Sequence, residues 1–156
     1  MTKFETNQLM IETTPGVFHA NAWGQRLQEN LIEELIRHAQ LNPNRKARLC
    51  LHPTSDELLQ VTYLAFSKPY LDKIHMHPHR PEIVIPVHGL AVHNVFDEHG
   101  KVLRSQLLSG RNPVANSTQT KEWHAIELQT ENFVMIEIVT GPFLPTSTIY
   151  LGDSSN

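Results

Sequence analysis

The chain has 156 residues, 40% of them hydrophobic, a formal net charge of -3 and ten histidines. This length suits one domain with a real core, and no basic face dominates that would ask for nucleic acid or an anionic membrane as partner. A single cysteine, Cys50, excludes an intramolecular disulfide and a zinc finger built on a cysteine cluster.

Residues 1–45 read as an N-terminal arm with an amphipathic helix. The opening stretch MTKFETNQLMIETT lacks the basic region and apolar core of a signal peptide. No window approaches the ~20 apolar residues of a membrane span. The expectation is a cytoplasmic protein in a reducing compartment. After Pro15-Gly16, VFHA is a short strand candidate. In WGQRLQENLIEELIRHAQ, Leu27, Leu31, Leu35 and Ala39 recur every four residues, with Ile32 and Ile36 beside them. That is one apolar helical stripe, packed on the domain or on a partner subunit. Asn42-Pro43-Asn44 ends it.

Residues 46–150 carry β patterning. RKARLCLH, QVTYLAF, EIVIPVHG, LAVHNVFD, KVLRSQLL, EWHAIELQ and FVMIEIVTG are short runs rich in Val, Ile, Leu and aromatics. In the last of them Phe133, Met135, Glu137 and Val139 share one face, and Val134, Ile136 and Ile138 the other. DEHG, at 97–100, reads as a hairpin turn. Strands at this spacing without helices between them predict an antiparallel sandwich or small barrel. The tail LGDSSN, 151–156, reads as frayed.

The stretch HMHPHRPE, residues 75–82, concentrates coordinating chemistry. A strand delivering His75 and His77 to one face, a turn over Pro78 to Pro81, and a new strand from Glu82 would bring two imidazoles and a carboxylate together. That set suits one divalent first-row metal, Zn, Fe, Mn or Ni. His124, in KEWHAIEL, is the candidate fourth ligand. His79 takes its place if the turn is tight, and otherwise lies at the cavity mouth or in solvent.

These residues resemble a known pattern. HxH, four residues, Glu, six residues and Gly make up the first cupin motif, and His75, His77, Glu82 and Gly89 stand at those positions. The order of RKARLCLHP, the HxHP–Glu core, FDEHG and Trp123-His124 resembles the WbuC-type cupin-fold metalloproteins, from about Val17 to Pro142. The glycine that usually opens the first motif is Pro69 here, and Gln119-Thr120-Lys121 replaces the Pro-x-Gly turn before the last histidine.

The resemblance implies a mainly β fold, a single cupin, that is a jelly-roll-like antiparallel β-barrel, with an N-terminal helical segment. It implies one metal held by three His and one Glu. It also implies a sugar or nucleotide sugar in bacterial surface-polysaccharide (O-antigen) biosynthesis, acted on by isomerisation or epimerisation. The alternatives are an iron-dependent oxygenase and a non-catalytic module that binds a sugar or acid through the metal. Cupin barrels commonly pair, and the helix stripe needs a cover, so a homodimer is expected.

Around the metal, His52 and His88 are candidate catalytic bases. Arg48, His52, Tyr63, Arg80 and His88 are candidate pocket residues, and Tyr150 offers a further hydroxyl. His19, His38, His93 and His99 are assigned to surface or strand positions, and Trp23 and Trp123 to the core.

Overall fold

A computed structural model describes residues 10–24, 26–27 and 29–153. Residues 1–9 and 154–156, which include the start of the expected arm and half of the expected frayed tail, lie outside the described residues. The elements run β1 (Met10–Thr14), β2 (Val17–Ala20), α1 (Leu31–Leu41), β3 (Lys46–Cys50), β4 (Leu59–Ser67) and β5 (His75–Met76). They continue with β6 (Glu82–His88), β7 (Leu90–Phe96), β8 (Val102–Ser109), β9 (Asn116–Thr118), β10 (Trp123–Leu128) and β11 (Asn132–Thr140). A 3₁₀ turn (Pro145–Ser147) and β12 (Ile149–Tyr150) complete the described chain. All seven expected runs are strands.

The strands form two sheets. One has seven strands in the order β1-β2-β3-β4-β11-β6-β9, the other five in the order β12-β5-β10-β7-β8. The pairs are antiparallel except β2 with β3, which is parallel. The architecture is the mainly β, jelly-roll-like barrel that the alternating runs predict.

Period-2 alternation gives each central strand two buried faces. Leu64, Phe66, Val84, Phe133 and Met135 point from the larger sheet toward Ala91, Leu108, Ile126 and Leu128 of the smaller one. The opposite parity of the same strands meets the helix. Ala47, Leu49, Ala65 and Val134 pack on Leu31, Leu35 and Ala39 of α1, with Phe18 from β2. Burying Leu35 completely contributes about 1.5–3 kcal/mol. The apolar stripe is therefore covered by the chain's own sheet, which removes the need for a second copy at this face.

The helix is shorter than the stripe that predicts it. It starts at Leu31, after turn residues Glu29 and Asn30, while Leu27 joins the same cluster from the segment ahead of the helix. Glu33 and Glu34 in the first turn suit the positive end of the dipole. Trp23 is 45% exposed and does not belong to the core. His38 is the reverse case: it is buried, its ring 4.7 Å from Phe18.

Gly89 turns the chain from β6 into β7 and so from one sheet into the other. Its φ is +74°, and a Cβ there would meet the Asn132 carbonyl oxygen at 2.1 Å, so both conformation and space require glycine.

Candidate metal centre and cavity

β5 is only two residues long, yet it is paired on both sides. His75 lies opposite His124 of β10 and opposite Tyr150 of β12. Directly opposed residues of antiparallel strands send their side chains to the same face. The register thus sets the imidazoles of His75 and His124 side by side, ring centroids 4.4 Å apart. His77 follows two residues later, with its ring 5.3 Å from His75 and 5.4 Å from His124. Glu82 opens β6 in the other sheet, after the Pro78–Pro81 turn. Its Oε2 lies 3.1 Å from His77 Nε2 and 3.9 Å from His124 Nε2. One donor atom from each of the three histidines lies within 4.8 Å of the others.

All three rings are oriented in one way. His75 Nδ1 is 2.7 Å from the Lys73 carbonyl, His77 Nδ1 2.9 Å from that of Ser147, and His124 Nδ1 2.8 Å from that of Glu122. Each Nδ1–H donates to main chain, which leaves Nε2 as the free donor atom. His124 Nε2 is buried and has no hydrogen-bond partner among the described residues. Leaving such an atom unsatisfied costs about 1–3 kcal/mol. A cation accepting three imidazole lone pairs and the Glu82 carboxylate removes that cost, and the donor set fits a first-row divalent ion.

The electrostatics agree with the geometry. Burial pushes the Glu82 carboxyl up, but the His77 hydrogen bond and the charges of His124, His77 and His75 outweigh it and hold the group well below the usual carboxylate range. Burial lowers His77, yet its bonds to Glu82 and Ser147 win and raise it. Burial and the neighbouring His124 lower His75.

A cavity of about 910 Å³ reaches this cluster. His75 and His77 are in its wall, with the buried Glu82 and His124 in contact behind them. Arg48, His52, Arg80 and Tyr150 line it. Five cationic side chains, Arg45, Lys46, Arg48, Lys73 and Arg80, face two carboxylates there, Asp72 and Glu137. Arg80 Nε and Nη1 are buried without a hydrogen-bond partner among the described residues, and its guanidinium lies 5.7 Å from the Phe143 ring.

Some expected site residues fall elsewhere. His88 does not line the cavity and is exposed, because β6 shifts register against β11 between Pro86 and His88 and so reverses the parity that His88 would share with Glu82. Tyr63 has the opposite parity to Thr62 and Leu64 and packs on the helix-side cluster. His79 is exposed and outside the histidine cluster. His93 is not at the surface. It is buried, its ring stacked 5.5 Å from His124, and its Nε2 is 3.2 Å from Thr118 Oγ1. Burial and His124 lower it to about 4, so it is neutral at pH 7.

Glu137 and Tyr70 are cavity residues that the sequence reading did not select. Glu137 was legible as one carboxylate on the inward parity of an apolar strand. Burial and Glu82 raise its carboxyl. Tyr70 donates to Asp72 at 2.8 Å, and the Asp72 carboxylate also accepts from the Ile126 N–H.

Two sheets closed around an inward cluster of three histidines and a glutamate define a cupin-fold protein. Solved structures with the same fold include the capsular polysaccharide assembling protein CapF from Staphylococcus aureus, with a TM-score of 0.60 and 21% identity over 71% of this chain and 30% of that one. KdgF from Halomonas sp. matches with a TM-score of 0.51 and 16% identity over 64% of this chain and 82% of that one. The oxalate decarboxylase of Lactobacillus farciminis, as a formate complex, has a TM-score of 0.50 and 20% identity over 61% and 27%. The chain spans about a third of the length of CapF. No curated protein matches it in sequence. The family described as "Domain of unknown function (DUF6016)" matches residues 27–108, just over half of the 156, and the chain belongs to that family.

Among the described residues, no helix is long and apolar enough to cross a membrane.

Proposed function

We propose that His75, His77, Glu82 and His124 hold one divalent transition metal, and that the cavity beside it takes a sugar or nucleotide sugar of surface-polysaccharide synthesis as substrate for isomerisation or epimerisation. The observation that carries the metal is the buried, partnerless Nε2 of His124, aimed with two like-oriented imidazoles at one carboxylate. A divalent ion supplies Lewis acidity there, polarising a carbonyl or hydroxyl. The buried guanidinium of Arg80, with Arg48 in the same wall, suits a phosphate or carboxylate on the ligand. Glu137 makes no hydrogen bond among the described residues, and burial and Glu82 raise its carboxyl above the usual carboxylate range, which suits a base that takes and returns a proton. A free base in the wall favours catalysis over passive binding. The shared fold of CapF, a capsular polysaccharide assembling protein, supports the sugar assignment.

The assembly we propose is a homodimer through the edge strand β8, which exposes Val102, Leu103 and Leu107. The compartment we propose is the cytoplasm, which suits the free thiol of Cys50.

Elemental analysis of the purified chain tests the metal. One equivalent is expected to disappear in His124→Ala, and an unchanged metal content overturns the site. Incubating the metal-loaded chain with nucleotide sugars in D₂O tests the reaction by NMR. Deuterium exchange at a sugar carbon that Glu137→Gln abolishes is the expected result, and exchange that survives the substitution removes Glu137 as the base. A monomer mass by light scattering refutes the dimer.

A further inference from the structure

A second group of metal-binding side chains lies in the same cavity wall and takes no part in the centre described above. The parallel pairing of β2 with β3 sets His19 opposite Cys50, and His52 follows Cys50 by two residues. One donor atom from each of the three lies within 4.8 Å of the others. Cys50 and His52 are buried, at 6% and 4% exposure, and His19 is half-buried.

The ligating atoms are uncommitted. His19 Nδ1 is 3.2 Å from the His52 carbonyl, to which it donates. The Val61 N–H donates to His52 Nδ1 at 3.2 Å, the Val61 carbonyl lies at the same distance, and His52 Nε2 has no hydrogen-bond partner among the described residues. His19 repeats the orientation seen at the histidine–glutamate cluster. Among the described residues the Cys50 sulfur accepts only from Thr62 Oγ1, at 3.9 Å.

We propose that His19, Cys50 and His52 form a second metal site, for one thiophilic divalent ion such as zinc, with its fourth position open to the cavity. Two imidazoles and a thiolate are a borderline-soft set that leaves the tetrahedron incomplete. On binding, the Cys50 S–H bond breaks, its proton leaves to solvent, and the sulfur's electron pair forms the bond to the ion.

The site is distinct from the first. Cys50, Thr62, Glu137 and Val84 form one cross-strand row. Three strand spacings put Cys50 roughly 14 Å from Val84, the residue two beyond Glu82. Paired ions that share a ligand sit only about 3.5–4 Å apart. The two ions therefore act separately, on opposite parts of one cavity. The inference stands whether or not the substrate proposed above is right.

Titrating the full chain with Co(II) tests it, because Cys50 is the only sulfur donor of its kind in the sequence. The wild type is expected to bind two equivalents and to show a near-ultraviolet sulfur-to-cobalt charge-transfer band. In Cys50→Ala the band disappears and the stoichiometry falls to one. In His124→Ala the band stays and the stoichiometry also falls to one, which separates this site from the first. In His52→Asn the band weakens or shifts to higher cobalt. No band in the wild type at saturating cobalt overturns the proposal without recourse to any variant. A band unaltered in both His19→Asn and His52→Asn overturns it as well.

Discussion

Replacing Glu82 with Gln should lower the stability of the metal-free protein and also shrink its gain from metal. Glu82 is 5% exposed, and in the metal-free chain its charge is offset by His77 at 3.1 Å. The amide keeps the volume and a hydrogen bond, but it gives up the charge that His77, His124 and His75 hold ionised, so the metal-free chain loses stability at pH 7. The loaded protein loses its anionic ligand. At free metal one hundred times the wild-type Kd, binding contributes about 2.7 kcal/mol. For a chain of this size that raises Tm by about 5–11 °C. Removing even a residue that only supports a metal ligand weakens binding about 10–100-fold, so a direct ligand should cost at least as much. A hundredfold loss at the same metal concentration leaves about 0.4 kcal/mol, and the metal-induced rise shrinks to about 1–2 °C. Differential scanning fluorimetry with and without metal reads both numbers. An undiminished rise in the variant, with native circular dichroism, refutes Glu82 as a ligand.

Three further outcomes are expected. Because Glu82 raises His77, an ion must displace the His77 proton at low pH, so affinity should rise about tenfold per pH unit below the His77 pKa and level off above it, as read by calorimetry. Affinity flat from pH 5 to 8 counts against His77 as a ligand. Burial and Arg48 lower Lys46 from 10.5 to about 8, against the pull of Asp72, Glu137 and Glu82. A folded value below the unfolded one means that the folded chain binds fewer protons, so this residue's cost is full below about pH 8 and fades as pH climbs to 10.5. Lys46→Met should therefore gain stability over wild type at pH 7, with the gain shrinking by pH 10; a pH-independent difference in urea midpoints denies the shift. Gly89→Ala should lower stability by more than ~1 kcal/mol in urea melts, given the positive φ and the 2.1 Å approach of the Asn132 carbonyl, and a neutral effect shows that the turn relaxes.

The strands that sequence reveals are those with a half-buried or doubly buried pattern long enough to show a period. FVMIEIV separates its two faces as expected, one toward the other sheet and one toward the helix. β1, β9 and β12 were not expected, and they have two to five residues, too few for a period to register. The same alternation decides which side of its strand His93 takes. It shares parity with Ala91 and Val95, and that parity is buried. His88 failed for the reverse reason, since a local register shift breaks an otherwise sound parity argument. The convergence of His75, His77, Glu82 and His124 follows from the HxH spacing, the proline turn and a late strand. The meeting of His19 with Cys50 depends on a parallel pairing between segments separated by a helix, and no local pattern announces it. Arg80 is a candidate pocket residue in the sequence, and only the fold shows that its nitrogens are buried with no hydrogen-bond partner among the described residues.

The carbonyl that turns His77 inward belongs to Ser147, seventy positions further along the chain. All four donors lie at or before His124, yet one of the two bonds that orient the His77 ring comes from Ser147, and β5 has its second neighbour only in Ile149 and Tyr150. The short closing segment supplies no donor, but it fixes the direction of one laid down far earlier in the chain.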